Sequence, residues 1–185
     1  MALFAMITTT PALMPGVKVH LTTLAGCYIE NNRTIFAQNA LDAGADYLLF
    51  VDTDMNFEPD ALVQLLKHAE QASIIGVNYH TRSQEESVST VKMPGTDGPI
   101  GETCQGDSIP AQPFECYAVG TGLMLIDMKV FKDMSFPWFA QQYNTETGKI
   151  EIGDDVWFCR KAGKMGYKVL CDPTIPVDHL GQFAY

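Results

Sequence analysis

Asp46-Tyr47-Leu48-Leu49-Phe50-Val51-Asp52-Thr53-Asp54 holds an unbroken apolar run, Tyr47–Val51, that ends in two carboxylates separated by a single threonine. A continuous apolar run of this length reads as a strand covered on both faces, the usual state of strands in parallel sheets. Side chains alternate along a strand, so Asp52 and Asp54 leave it on the same side. Two carboxylates so placed repel unless a cation lies between them. Oxygen ligands with open positions suit Mn²⁺ or Mg²⁺, which would in turn hold a diphosphate.

Upstream of this stretch, Asn32 is placed to cap a helix over 33–42 that Gly44 ends, with Ala37, Ala40 and Leu41 on one face. Downstream, Pro59 suits the first position of a helix in which Leu62, Leu65, Leu66 and Ala69 follow the i, i+3, i+4, i+7 pattern, and Ser73–Val77 reads as the next strand. Leu3–Ile7 reads as a first strand emptying into Thr8-Thr9-Thr10-Pro11, and Val17, Val19 and Leu21 as a second. Further along come a glycine-interrupted strand over Val119–Ile126, a helix over Asp155–Met165 stopped by Gly166, and a last strand over Tyr167–Cys171. Residues 81–114 show little periodicity and read as a long loop or irregular hairpin. Strand and helix in alternation predict one α/β domain, 1–185, with a central, mainly parallel sheet and a site beyond the carboxyl ends of its strands.

The charge supports a cation-binding site. Acids outnumber bases 22 to 12, for a net charge of −10. Between Arg33 and Lys67 lie Asp42, Asp46, Asp52, Asp54, Glu58 and Asp60 with no base among them. Such a surface opposes a groove that tracks many phosphates, so a nucleic-acid acceptor is disfavoured without being removed. Five cysteines with no CxxC pair indicate neither a disulfide framework nor a zinc ribbon and fit a reducing cytoplasm, bacterial or phage-infected. No apolar run reaches the roughly 20 residues of a membrane span.

Other residues fit the same chemistry. Gly153-Asp154-Asp155 opens the later helix, where acids cap free amides or serve as a general base. His179 follows the last strand in a polar tail and can complete a carboxylate metal site. Trp138 and Trp157 are core aromatics or walls of an acceptor site.

This combination resembles the GT-A (Rossmann-like) glycosyltransferases. They show an apolar strand ending in DxD, a later glycine-rich strand, an acid pair opening a helix that leads to a Gly-aromatic-basic step, and often a metal-binding histidine near the end. The matching residues are Asp46–Met55, Gly120–Ile126, Asp154–Arg160 with Gly166-Tyr167-Lys168, and His179. The resemblance implies transfer of a hexose from a UDP-sugar to a hydroxyl acceptor. Asp52, Asp54 and His179 would bind the metal. Asp155 would be the base of an inverting reaction, with Asp154 beside it as the other candidate because the pair is Asp-Asp where Glu-Asp is commoner. Arg33 would meet the diphosphate. Thr8, Thr9, Thr10, Asp52, Thr53, Gly120, Thr121 and Gly122 would border the nucleotide-sugar.

Two alternatives remain. The strand 48–54 is also similar to the nucleophile strand of haloacid-dehalogenase-type phosphatases, in which Asp52 would attack phosphorus and Asp54 act as acid and base. Some 50 residues precede it, however, and Lys149-Ile150-Glu151-Ile152 is a polar approach to the Gly-Asp-Asp. The other alternative is a glycosyltransferase acting on hydroxymethylated bases of viral DNA, for which Arg160, Lys161, Lys164 and Lys168 provide a local basic face.

Overall fold

The computed structural model describes residues 2–26, 28–81, 88–94, 102–103 and 108–181. It is a mixed α/β fold. The chain runs α1 (Ala2–Leu13), α2 (Ile29–Asp42), β1 (Tyr47–Val51), β2 (Met55–Phe57), α3 (Ala61–Leu66), β3 (Ile74–Val77), β4 (Lys92–Met93), β5 (Glu102–Thr103) and β6 (Phe114–Cys116). It continues through β7 (Leu123–Asp127), α4 (Met128–Asp133), β8 (Gln142–Tyr143), β9 (Ile150–Ile152), α5 (Asp154–Lys164), β10 (Val169–Asp172) and β11 (Val177–His179). The central sheet has the order β1-β7-β3-β10-β6, with short pairs β2–β11, β4–β5 and β8–β9 outside it.

Both faces of this sheet are covered, as its apolar strands require. On one face Phe50, Ile74, Met124, Ile126, Val169 and Cys171 pack under Ala37 of α2, Phe131 of α4 and Phe158 of α5. On the other, Ile75, Val77, Leu123, Leu125 and Leu170 pack under Met6 of α1 and Leu62 and Leu65 of α3. Neighbouring residues of each strand fall into opposite layers, the period-two alternation of a strand. Among the described residues no helix is long and apolar enough to cross a membrane.

The expected mainly parallel sheet is met only in the β3–β10 pair; β1–β7, β7–β3 and β10–β6 are antiparallel. The reason is topological. β1 and β3 both oppose β7, so they point the same way, as a strand-helix-strand unit should, but β7 is inserted between them. The expected first strand is the helix α1, because Met6 and Thr10, one turn apart, supply its buried face. A short apolar run alone does not separate a strand from a helix. Residues 17–26 form no strand. α2 starts at Ile29 with Tyr28 at its N-cap, so Asn32 lies inside the helix, where its amide packs beside Gly26. Within 81–114 the described residues include β4, β5 and the start of β6.

Candidate functional site

β1 delivers Asp52 to the carboxyl edge of the sheet. The Asp52 N–H donates to Gly122 O at 2.9 Å, which ties the end of β1 to the start of β7. The chain then turns into β2, whose antiparallel pairing with β11 sets His179 opposite Met55. Leu180 N–H donates to Asp54 O at 2.7 Å, and His179 Nε2 comes to 3.4 Å from the Asp54 carboxylate. His179 Nδ1 lies 2.9 Å from His80 O. A carbonyl can only accept, so Nδ1 carries a proton, and in the neutral ring Nε2 presents its lone pair to Asp54. Two electron-rich atoms facing each other call for a proton or a metal ion between them. An Nδ1 held by a carbonyl is the usual support of a metal-binding imidazole. Asp54 and His179 therefore fit a divalent cation, although among the described residues no group of three or more His, Cys, Asp or Glu side chains forms a complete ligand set.

A buried ion pair builds the other wall. Arg33, in the first turn and a half of α2, donates to the Asp154 carboxylate at the start of α5, and both side chains are more than nine-tenths buried. Its other terminal nitrogen lies 3.9 Å from Asp52. Arg33 thus joins the strand-end acids to the helix acids. Burial pushes the Asp52 carboxyl above its ordinary range; Arg33 opposes the rise and the neighbouring Asp54 adds to it.

The acid pair is divided in role. Asp154 is bound to Arg33, while Asp155 accepts the N–H of Val156 at 2.7 Å from within its own helix turn. Burial raises the Asp155 carboxyl above its ordinary value; the Val156 N–H holds it down, and Asp154 adds to the rise. A desolvated carboxylate with no ion pair among the described residues is suited to taking up a proton.

Tyr79, just after β3, was not singled out by the sequence motifs. Its hydroxyl accepts the Gly122 N–H at 2.9 Å, and its ring meets the His179 imidazole edge-on at 5.4 Å. A Cβ at Gly122 would lie 2.7 Å from the Tyr79 oxygen, and one at Gly120 would collide with it as well. The missing Cβ atoms thus make room for this phenol, and Thr121 between them is buried. The only sequence signal was the position of Tyr79 at a strand end beside His80.

Thr53 is exposed at the turn between the two aspartates. Thr8, Thr9 and Thr10 lie in α1: Thr8 bonds back to the carbonyls of Phe4 and Ala5, and Thr10 is buried in the α1 interface. A helical α1 removes the strand end that was to present them to the nucleotide. Trp138 is a core residue. Its Nε1 donates to Met134 O at 2.9 Å, and its ring packs against Phe131 and Phe136. Trp157 is half-buried, with the Arg160 guanidinium 5.5 Å from its ring centre.

No protein-family model matches the chain, and no curated protein matches it in sequence. Among solved structures it is similar to the crystal structure of A197 from STIV, with a TM-score of 0.63 and 16% identity over 97% of this chain and 78% of that one. The likeness is one of fold.

Proposed function

We propose that the chain is a metal-dependent glycosyltransferase of the GT-A type that moves a hexose from a UDP-sugar to a hydroxyl acceptor. The observation that carries this reading is the meeting, at one edge of the sheet, of the Asp54–His179 pair, Asp52, and the acid pair divided by Arg33. Asp54 and His179, with Asp52 beside them, would hold Mn²⁺ or Mg²⁺, which when bound neutralises the diphosphate as charge develops on the leaving oxygen.

The protein's own groups supply the rest. Asp155 removes the proton of the acceptor hydroxyl as the acceptor oxygen bonds to the anomeric carbon and the bond from that carbon to the UDP oxygen breaks. Its burial, which raises its basicity, suits that task. Asp154 holds Arg33, and Arg33 sets the distance between the helix acids and Asp52 and brings one positive charge to the diphosphate side. Tyr79 keeps the His179 ring and the Gly120–Gly122 turn in place.

Thermal-shift titration with nucleoside diphosphates tests the reading. UDP at about 100 times its dissociation constant should stabilise the fold by about 2.7 kcal/mol. The shift should need Mn²⁺ and vanish in Asp54→Ala. Absence of any nucleotide shift, with metal-dependent release of phosphate from simple phosphoesters, would replace it with the phosphatase chemistry.

A further inference from the structure

β1 is the outermost strand on one side of the central sheet. The Asp52 N–H donates to Gly122 O and the Met128 N–H to Asp46 O, so the even-numbered residues of this stretch turn their backbone groups toward β7. Tyr47, Leu49 and Val51 turn theirs the other way, to an outer edge with which no strand pairs among the described residues. Burial agrees: β3 and β10, inside the sheet, are buried at every residue, whereas in β1 only Phe50 is. An open edge of this kind is a template for a further strand.

A second stretch is unpaired as well. Residues 17–26 belong to no helix or strand, and among the described residues the backbone of 18–25 makes no hydrogen bond. Val17 and Val19 are half-buried and the rest are exposed, Leu21 at 46% and Leu24 at 42%. Val17-Lys18-Val19-His20-Leu21 alternates apolar and polar residues, the pattern of a strand with one covered face. Val19 packs against the apolar layer that also receives Leu49 and Val51. The charges are complementary: Lys18 and His20 are basic and no acid precedes Glu30, while Asp46 and Asp52 flank β1.

Both ends of the segment are anchored in their own chain, by Met6 of α1 in the α3 layer and by Phe36 of α2 against Phe50. Held there, it leaves β1 unpaired. We infer that residues 17–21 of a second copy complete the edge, antiparallel to Tyr47–Val51, and that two copies exchange these strands about a twofold axis. The inference is independent of the chemistry proposed above. With Val19 opposite Leu49, Lys18 stands opposite Phe50 and diagonal to Asp52, and His20 opposite Leu48 and diagonal to Asp46, within reach of long side chains. Val17 and Leu21 then face Val51 and Tyr47. Two β1 strands do not serve instead, because antiparallel pairing about Leu49 sets Asp46 of each copy against Asp52 of the other. Reciprocal exchange forms two ladders and closes the assembly at two copies.

Light scattering of the ligand-free chain tests this: between about 1 µM and about 100 µM a monomer should pass to a dimer, more readily at low salt. As the dimer forms, amide exchange followed by NMR should slow at Tyr47, Leu49 and Val51 and stay unchanged at Leu48 and Phe50, whose N–H groups face β7. Val19→Pro removes an N–H that bonds nothing within this chain and should weaken association about a hundredfold or more. Lys18→Glu, on an exposed residue, should weaken it about tenfold at low salt, and Lys149→Glu in the β8–β9 turn should leave it unchanged. A chain monomeric at every concentration, a dimer indifferent to Val19→Pro or to Lys18→Glu, or a dimer in which the Leu49 amide exchanges freely overturns the inference. So does slow exchange at Leu49 in a monomer, which would mean that the segment pairs within its own chain.

Discussion

Replacement of Arg33 by Met tests the part of the site on which its geometry most depends. The guanidinium and the Asp154 carboxylate are paired at 8% and 9% side-chain exposure, so removing the cation leaves a carboxylate buried with no counter-charge. Breaking one side of a buried pair costs about 3 to 5 kcal/mol. For a domain of this size each kcal/mol moves Tm by about 2 to 4 °C, so Arg33→Met should melt about 6 to 20 °C below the parent. Arg33→Met/Asp154→Asn removes both charges and should recover about half of the loss or more. The assay is urea denaturation of the four members of the cycle at neutral pH without metal, because bound UDP or Mn²⁺ would mask the difference. An Arg33→Met variant within about 1 kcal/mol of the parent would refute the reasoning, as would a double variant whose loss equals the sum of the two singles.

Three further outcomes follow from the same geometry. Tyr79→Phe keeps the ring against His179 but strands the Gly122 N–H, so it should cost about 1 to 3 kcal/mol in denaturant unfolding and weaken UDP binding; unchanged stability would show that water replaces the phenol. Asp155 has a folded pKa raised above the ordinary 3.8, so its contribution to stability is fully present below that value and is lost as pH rises through the raised one. Metal-free Asp155→Asn should therefore melt higher than the parent at pH 7 and converge with it toward pH 4, and a variant that melts lower at pH 7 would contradict the assignment. The same variant should bind UDP and Mn²⁺ as the parent does and transfer no sugar; unchanged turnover would remove Asp155 as the base.

Much of the site was legible in the sequence because it rests on local pattern. The run Tyr47–Val51 does form a strand that carries the DxD to the end of the sheet, but it is an edge strand in which only Phe50 is buried, not the fully covered strand expected. The Gly153-Asp154-Asp155 step did open a helix, α5. The direction of β7 was not legible, because residues 123–127 carry the same apolar run whichever way they pair. α1 was missed for a related reason. Three threonines and a proline weigh against a helix in isolation, and what holds them there is the contact of Met6 with the α3 layer, a tertiary fact. The bond of Arg33 to Asp154 was not legible, because it spans 121 residues. Tyr79 escaped because the space that accommodates it is made by glycines more than 40 residues away, Gly120 and Gly122.

The insertion of β7 between β1 and β3 also has a consequence for biosynthesis. When β1 and β3 emerge from the ribosome, neither can make a central-sheet bond, since the strand that joins them is Leu123–Asp127 and the other neighbour of β3 is Val169–Asp172. The DxD turn is tethered later still, when His179 arrives to pair with Met55. A nascent chain therefore carries its apolar strands unpaired for most of its synthesis, which exposes it to aggregation and to chaperone capture. It also means that a chain ended before β11 cannot bring His179 to Asp54.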